Sequence, residues 1–258
     1  MRIDSLTLAL RPRQPYEAMD LGLRLLQAHW RRVYIALLVA VLPAVAIAQG
    51  VDLIFPGNTW LWPLIVWWLK PFYDRALLLV LSRAVFGQSV TAAEVWRALP
   101  GFFKTGLVRA LTWGRFDLAR AFALPVWQLE GLTGKARRNR IALLGKGGRT
   151  HAVWLTVVCL HLEYVVVFSL LALTYLLIPA ELAPSWRELL QLTPGAGWLV
   201  YFNRFTYLAA VALIEPLYIA SGFTLYLSRR TDLEGWDIEL AFRMLAGRLA
   251  REAPTAAA

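Results

Sequence analysis

The sequence predicts an all-α, polytopic membrane protein, and three observations support this fold class. Residues of the types AVILMFWYC make up 59% of the 258 residues, and charged residues only 17%, against roughly 25% in ordinary globular domains. The twelve Trp, nine Tyr and twelve Phe residues agree, because amphipathic rings gather at membrane interfaces. Four apolar runs each approach or exceed the length of about 20 residues that crosses a hydrocarbon core.

The same composition excludes several classes of protein. An apolar excess of this size does not fit a disordered chain, a coiled coil or a nucleic-acid-binding tail. The single cysteine, Cys159, excludes a disulfide framework and a Cys-based zinc site. We therefore expect no nucleic acid among the partners.

The four predicted transmembrane spans cover residues 33–50, 60–86, 152–178 and 198–227. Pro71 in the second span and Pro216 in the fourth each remove one helical hydrogen bond, which leaves the carbonyl groups of Trp67 and Ala212 free. We therefore expect these two spans to be Pro-broken.

The distribution of positive charge predicts the orientation of the spans. The formal net charge is +10, and residues 1–32, 88–151 and 228–258 hold 22 of the 27 Lys and Arg residues. The segments 51–59 and 179–197 hold only Arg187. Because basic segments stay on the cytoplasmic side, we expect a multi-pass protein of the bacterial inner membrane with cytoplasmic N- and C-termini.

A cleavable signal peptide ending near Ala46-Ile47-Ala48 is the competing interpretation, but the basic region before it, about 32 residues, is too long for one.

We expect a single membrane domain, 1–258, with five parts. These are an N-terminal cytoplasmic or interfacial helix (1–32), a first helical hairpin (33–87), a basic cytoplasmic interfacial segment (88–151), a second hairpin (152–228) and a C-terminal cytoplasmic helix and tail (229–258).

The segments outside the spans contain further helix signals. An apolar stripe from Pro15 to Arg32 indicates an amphipathic helix, which either lies in the inner interface or extends the first span. Thr91-Ala-Ala-Glu94 is a capping box that starts a helix, and Pro100-Gly101 ends it. We expect parts of residues 98–130 to bury apolar side chains at the inner membrane face, and residues 116–130 to lie against the membrane or against the spans. The reason is that six large apolar residues have no other obvious core: Phe102, Phe103, Leu107, Leu111, Phe122 and Trp127.

Two stretches of the chain form a candidate internal repeat. Leu69-Lys70-Pro71-Phe72-Tyr73, followed by Leu81-Ser82-Arg83, matches Ile214-Glu215-Pro216-Leu217-Tyr218, followed by Leu227-Ser228-Arg229. Both copies cross the membrane in the same direction, which predicts two parallel pseudo-repeats around an axis along the membrane normal. Chance similarity between apolar helices is the alternative.

Ionisable residues inside spans usually face a bundle interior or a cavity, so they are candidate functional residues. The candidate intramembrane polar cluster consists of Lys70, Asp74, Arg75, Arg204 and Glu215. In the repeat alignment Lys70 occupies the place of Glu215, which predicts an ion pair between them, with Asp74 and Arg204 as further partners. The alternative pairs Lys70 with Asp74 on one helix and Glu215 with Arg204 on the other.

Basic residues near the ends of spans attract anionic lipid at about 1 kcal/mol per charge. The candidate interfacial anion or lipid residues are Arg83, Arg137, Arg138, Arg140 and Arg229. The alternative is that they only hold the orientation. We therefore expect anionic membrane lipids, and protein partners within the membrane, as the binding partners.

Signals for catalysis are poor in this chain. His161 and Glu163 are two residues apart and point to different sides of a helix, so they cannot hold one metal together. No G-x-S-x-G, HExxH or phosphate-loop pattern is present. We expect no catalytic residues, no metal site and no cofactor.

Three stretches carry a family resemblance: RPRQPYEAMDLGLRLLQAHWRR, WWLKPFYDRALLLVLSRAVFG and EPLYIASGFTLYLSRRTDLEGWDIELAFR. With these the chain resembles a group of proteobacterial inner-membrane proteins, and its ending is similar to the membrane domain beside some glycerophosphodiester phosphodiesterases. The resemblance implies a polytopic membrane module, and no catalytic residue follows from it because no phosphodiesterase domain is present here.

The interpretation that follows is a non-enzymatic integral inner-membrane scaffold or a subunit of an envelope-associated complex. One alternative is a small transporter or lipid-handling protein that binds an anionic headgroup or polyprenyl phosphate with Lys70, Arg75, Arg83 and Arg204. Another is a membrane-embedded enzyme, which needs a pocket at Asp74, Glu163 or Glu215. A transporter needs a cavity that reaches its buried charges, whereas a scaffold needs them paired internally.

Overall fold

The computed structural model describes residues 13–179, 181, 183–190 and 197–235, and every regular element in these ranges is helical. The α-helices are α1 (Pro15–Ile54), α2 (Leu61–Trp68), α3 (Lys70–Val85), α4 (Ala92–Ala98), α5 (Leu107–Leu111), α6 (Arg120–Gln128), α7 (Gly134–Gly145), α8 (Arg149–Leu177), α9 (Trp186–Leu189) and α10 (Gly197–Glu234). Two 3₁₀ segments, Leu99–Thr105 and Trp113–Phe116, flank α5.

Three of these helices, α1, α8 and α10, are long and apolar enough to cross a membrane. The second predicted span is not one long helix, because Leu69 leaves helical geometry (φ −83°, ψ 2°) and separates α2 from α3. The predicted break at the other proline is wrong, since α10 continues without interruption through Pro216.

The predicted N-terminal helix and the first span form one helix of 40 residues, α1, which bends at His29 (φ −122°, ψ 19°). Its N-terminal part packs against α10, where the Ser221 hydroxyl donates to the Met19 carbonyl over 3.2 Å. Gly22 permits this approach, because a Cβ on it would lie 2.6 Å from the Ser221 Cα. Residues 15–32 are thus continuous with the first span across the bend, and their position in the inner interface stays a prediction.

The centre of the fold is the second half of α10, in which nearly every side chain from Ile214 to Ser228 is buried. Helices α1, α3, α6 and α8 pack around it. The close approach of α6 depends on Gly222, since a Cβ there would lie 2.4 Å from the Ala121 Cβ.

The segment 88–151 folds back onto these helices. The predicted capping box is present, and the hydrogen bonds that Thr91 donates lower the pKa of the Glu94 carboxyl. Phe102, Leu107 and Phe122 are buried in the main hydrophobic core, whereas Phe103 is exposed. Phe102 and Leu107 therefore have a core within the protein, where the sequence indicated none, and Phe122 packs against the spans, which is one of the two expectations for residues 116–130.

The repeat is not confirmed by the packing. Helix α1 packs along α3 and α10, but α8 packs mainly on α10 and has few contacts with α3. A pseudo-twofold axis would make α8 contact α3 as α1 contacts α10. The helix expected near Asp237 lies outside the described residues, so the repeat stays a prediction.

Candidate functional site: a buried charge cluster

The break at Leu69 places Lys70 at the first position of α3, with its side chain 2% exposed inside the bundle. Pro71 cannot donate to the carbonyl of Trp67, as the sequence predicts, and the backbone N–H that reaches this carbonyl is that of Leu69, which it shares with Ile65. Arg115 also reaches it: its Nη2 donates to the Trp67 carbonyl over 2.8 Å, and its guanidinium stacks 3.8 Å from the Trp67 ring centroid. The break is thus stabilised by a side chain from another part of the chain.

Lys70 joins three helices through two short ion pairs. Its Nζ lies 2.6 Å from Glu215 Oε2 on α10 and 2.6 Å from Glu163 Oε2 on α8. All three side chains are at least nine-tenths buried. The predicted Lys70–Glu215 ion pair is therefore confirmed, and the alternative of two separate same-helix pairs is wrong.

Arg120, at the start of α6, is the second cation at this point. Its Nη2 lies 3.2 Å from Glu215 Oε1, and its Nε lies 3.9 Å from Asp74 Oδ2. The buried charge cluster thus consists of Lys70, Arg120, Asp74, Glu163 and Glu215. It contains two cations and three carboxylates, and Asp74 Oδ1 has no hydrogen-bond partner among the described residues.

Two of the predicted cluster residues lie elsewhere. Arg75 donates to the Pro71 carbonyl of its own helix and to Thr105, because the residue after Asp74 points to a different side of α3. Arg204 pairs with Asp52 at 2.7 Å and with Gln49 near the end of α1. It shares a face with Glu215 but is about 16 Å from it along the helix axis at 1.5 Å per residue, which is too far for contact.

Two members of the cluster were not assigned to it from sequence. Glu163 stood out as an ionisable residue inside a span, but nothing in the pattern linked α8 to Lys70. Arg120 was placed with the cytoplasmic segment, although it is a lone cation in the apolar stretch FDLARAFALPVW. That isolation is the signal that could have identified it, because a cation amid apolar residues requires a partner.

The predicted interfacial arginines divide into two groups. Arg83 lies 3.8 Å from Glu94, Arg229 pairs with Asp232, and Arg140 pairs with Glu130 and Glu234. The hydrogen bonds to Glu130 raise the pKa of Arg140. Arg137 and Arg138 have no ion pair with any described residue. Of the five predicted interfacial arginines, these two stay available for an external anion.

Two of the cavities formed by described residues lie outside the charge cluster. One, of about 590 Å³, is lined by residues of α5, α6, α7 and the start of α8, including Arg137 and Arg138. The other, of about 430 Å³, is lined by residues 28–32. Neither is lined by a residue of the cluster, and among the described residues no three His, Cys, Asp or Glu side chains are grouped to hold a metal ion.

No protein family, curated protein or solved structure matches this chain. The family resemblance described above therefore stays a prediction.

Proposed function

We propose that the chain is a non-enzymatic multi-pass protein of the bacterial inner membrane that serves as a scaffold or subunit of an envelope-associated complex. The observation that carries the proposal is the pairing of Lys70 with Glu163 and Glu215, which joins α3, α8 and α10. Arg120 adds α6 to the same network. Charges paired in this way hold helices together, and Lys70, Glu163 and Glu215 are engaged with one another rather than with a substrate.

The outer surface of the long helices supports a membrane location. The large exposed side chains of α1 beyond the bend and of α8 are mostly apolar, among them Ile35, Leu38, Leu42, Val158, Leu162, Val165 and Phe168. A continuous apolar surface of this kind marks contact with lipid or protein. Together α2 and α3 are about 36 Å long at 1.5 Å per residue, enough for a fourth, broken crossing of a core about 30 Å thick.

Cysteine labelling tests the orientation in a Cys159→Ala background. We expect a membrane-impermeant maleimide to label Asn58→Cys in intact cells, because residues 51–59 carry no positive charge. Asn139→Cys, equally exposed in the structure but within the basic segment, should react only after permeabilisation. The reverse pattern would exclude this topology.

The scaffold role is tested by the size of the assembly in native membranes. After mild detergent extraction, the chain should migrate on a native gel at a larger mass than the purified 29.1 kDa chain in the same detergent. The Lys70→Met/Glu163→Gln variant, which removes one matched pair, should enter the same assembly if these charges are structural. Migration of the wild-type chain at its own size would refute the scaffold role.

The alternatives gain less support from the geometry. Lys70, Arg75, Arg83 and Arg204 all have partners within the protein and do not converge, so an anionic headgroup has no shared site among them. A membrane-embedded enzyme would need a cavity at Asp74, Glu163 or Glu215, and the two cavities above are lined by other residues.

A further inference from the structure

The larger cavity, referred to below as the basic cavity, has an excess of positive charge. Its lining includes the cations Arg109, Arg137, Arg138, Lys146 and Arg149, against one carboxylate, Asp117. Asp117 forms an ion pair with Arg149, since its Oδ1 lies 2.9 Å from Arg149 Nη2. Four cations therefore line the cavity without a carboxylate of their own among the described residues.

Arg137 is the most unusual of these cations. It is 5% exposed, yet it makes no hydrogen bond or ion pair with any described residue. Burial and the neighbouring charges of Arg109 and Arg138 lower its pKa. None of its nitrogens is among the enclosed side-chain atoms that lack a partner, and the residue lines the cavity, so its donors are open to an anion that enters there.

An aromatic platform fixes the position of Arg137. Its guanidinium carbon lies 3.8 Å from the ring centroid of Trp127, and that of Arg109 lies 6.0 Å from the same ring. The ring lies directly against the backbone of Gly106, where a Cβ would be 2.2 Å from a Trp127 ring carbon. Gly106 also has a left-handed φ of 73°. The backbone at this position therefore requires glycine for two reasons, its conformation and its contact with Trp127.

We propose that the basic cavity is a binding site for a phosphate monoester or diphosphate group. Arginine forks match the geometry of phosphate oxygens and donate charge-assisted hydrogen bonds to them. A volume of about 590 Å³ accommodates a headgroup of this kind, since small-molecule sites span about 300–1,000 Å³. The site goes beyond the scaffold role and does not depend on it.

The surroundings of the cavity suit a lipid as one source of the phosphate group. Trp113 also lines the cavity and is 86% exposed, and Phe116 beside it is 69% exposed. Exposed aromatic rings next to cations are typical of the membrane interface. A free phosphate compound presents the same chemistry, so the experiment below separates the two sources.

The test uses the full-length protein in neutral detergent, titrated with short-chain phosphatidic acid, short-chain phosphatidylcholine and inorganic phosphate. We expect phosphatidic acid to bind and phosphatidylcholine not to bind. The Arg109→Gln/Arg137→Gln variant should bind at least about 30-fold more weakly, because two charge-assisted hydrogen bonds are lost. Arg97→Gln, which removes an exposed arginine from α4, is the matched control and should bind like the wild type.

Each result bears on the proposal. Phosphatidic acid binding that inorganic phosphate displaces identifies a free phosphate compound as a ligand, and binding that phosphate does not displace identifies a lipid. Arg138→Gln, at an exposed position, keeps the test valid if the double variant fails to fold, and it should weaken binding about threefold or more. Absence of binding to both phosphate compounds, or equal binding by Arg138→Gln and Arg97→Gln, would overturn the site.

Discussion

The buried charge cluster and the basic cavity both contain cations held inside the fold, but they differ in their partners. In the cluster, Lys70 lies 2.6 Å from each of two carboxylates. In the basic cavity, Arg137 is almost as well buried but has no acceptor among the described residues. Burial alone therefore does not distinguish a structural cation from a binding cation. The number of acceptor groups within reach does.

A comparison of two arginines sharpens this difference. Arg115 and Arg137 each stack 3.8 Å from a Trp ring centroid. Arg115 donates to the Trp67 carbonyl, to which Pro71 cannot donate, whereas Arg137 donates to no described group. Stacking on a Trp ring thus holds Arg115 at the break between α2 and α3, and it holds Arg137 in the basic cavity with its donors unused.

The largest effect is expected for Lys70→Met. This change removes the one cation that pairs with Glu163 among the described residues, and breaking a buried pair costs about 3–5 kcal/mol of the free energy of unfolding. Denaturant unfolding in detergent would measure it, with the exposed Lys135→Met as control. Adding Glu163→Gln should recover most of the loss, and additive losses would show that the two residues do not interact.

Glu215→Gln should destabilise the protein less than Lys70→Met does. After this change Lys70 still pairs with Glu163, and Arg120 still faces Asp74, so two cations balance two carboxylates. The loss of one partner from a buried network costs about 1–3 kcal/mol. The same unfolding assay decides the order of the two variants. An equal or larger effect for Glu215→Gln would mean that charge balance does not govern this cluster.

Gly106→Ala tests the platform of the basic cavity. The new methyl group would displace Trp127, and the cation–π contact of Arg137 with that ring contributes about 1 kcal/mol. Affinity for phosphatidic acid should fall about fivefold, as read by titration. Gly101→Ala is the matched control, since a Cβ there meets no atom within 4 Å. An unchanged affinity in the Gly106 variant would show that the platform does not orient Arg137.

The smallest effects should separate two neighbouring arginines on α7. Arg140 is paired with Glu130 and Glu234, so Arg140→Gln should lower the melting temperature by a few degrees and leave phosphate affinity within about twofold of wild type. Arg138→Gln should do the reverse. If both variants lose phosphate affinity equally, the division into paired and unpaired arginines has no functional meaning.

Some local signals in the sequence predicted local structure, although the proline signal failed at Pro216, where α10 stays helical. The capping box at Thr91 and the carbonyl to which Pro71 cannot donate follow from bonding rules that involve only neighbouring residues. The Lys70–Glu215 pair was predicted over a longer range, because two similar stretches placed opposite charges at equivalent positions.

The rest of the site depends on how segments pack, which no local pattern specifies. Arg120 entered the cluster because α6 packs between α10 and α3, and the charge count of residues 88–151 indicated a surface segment. Arg204 was assigned by helical face alone, although contact also requires similar depth along the axis. The basic cavity combines residues from α5, α6 and α7, so the arginine cluster in the sequence indicated its charge but not its shape.

The contact of Gly22 with Ser221 has a consequence for biosynthesis. About 200 residues separate the two positions, and at 5–20 residues per second the ribosome needs about 10–40 s to reach the second after the first. During this time α1 lacks the helix that packs against Gly22. Lys70 likewise gains its second carboxylate only when α10 is made. A chain that ends before α10 leaves Gly22 uncovered and Lys70 with one carboxylate partner. Proteases could recognise such an incomplete chain by these two features.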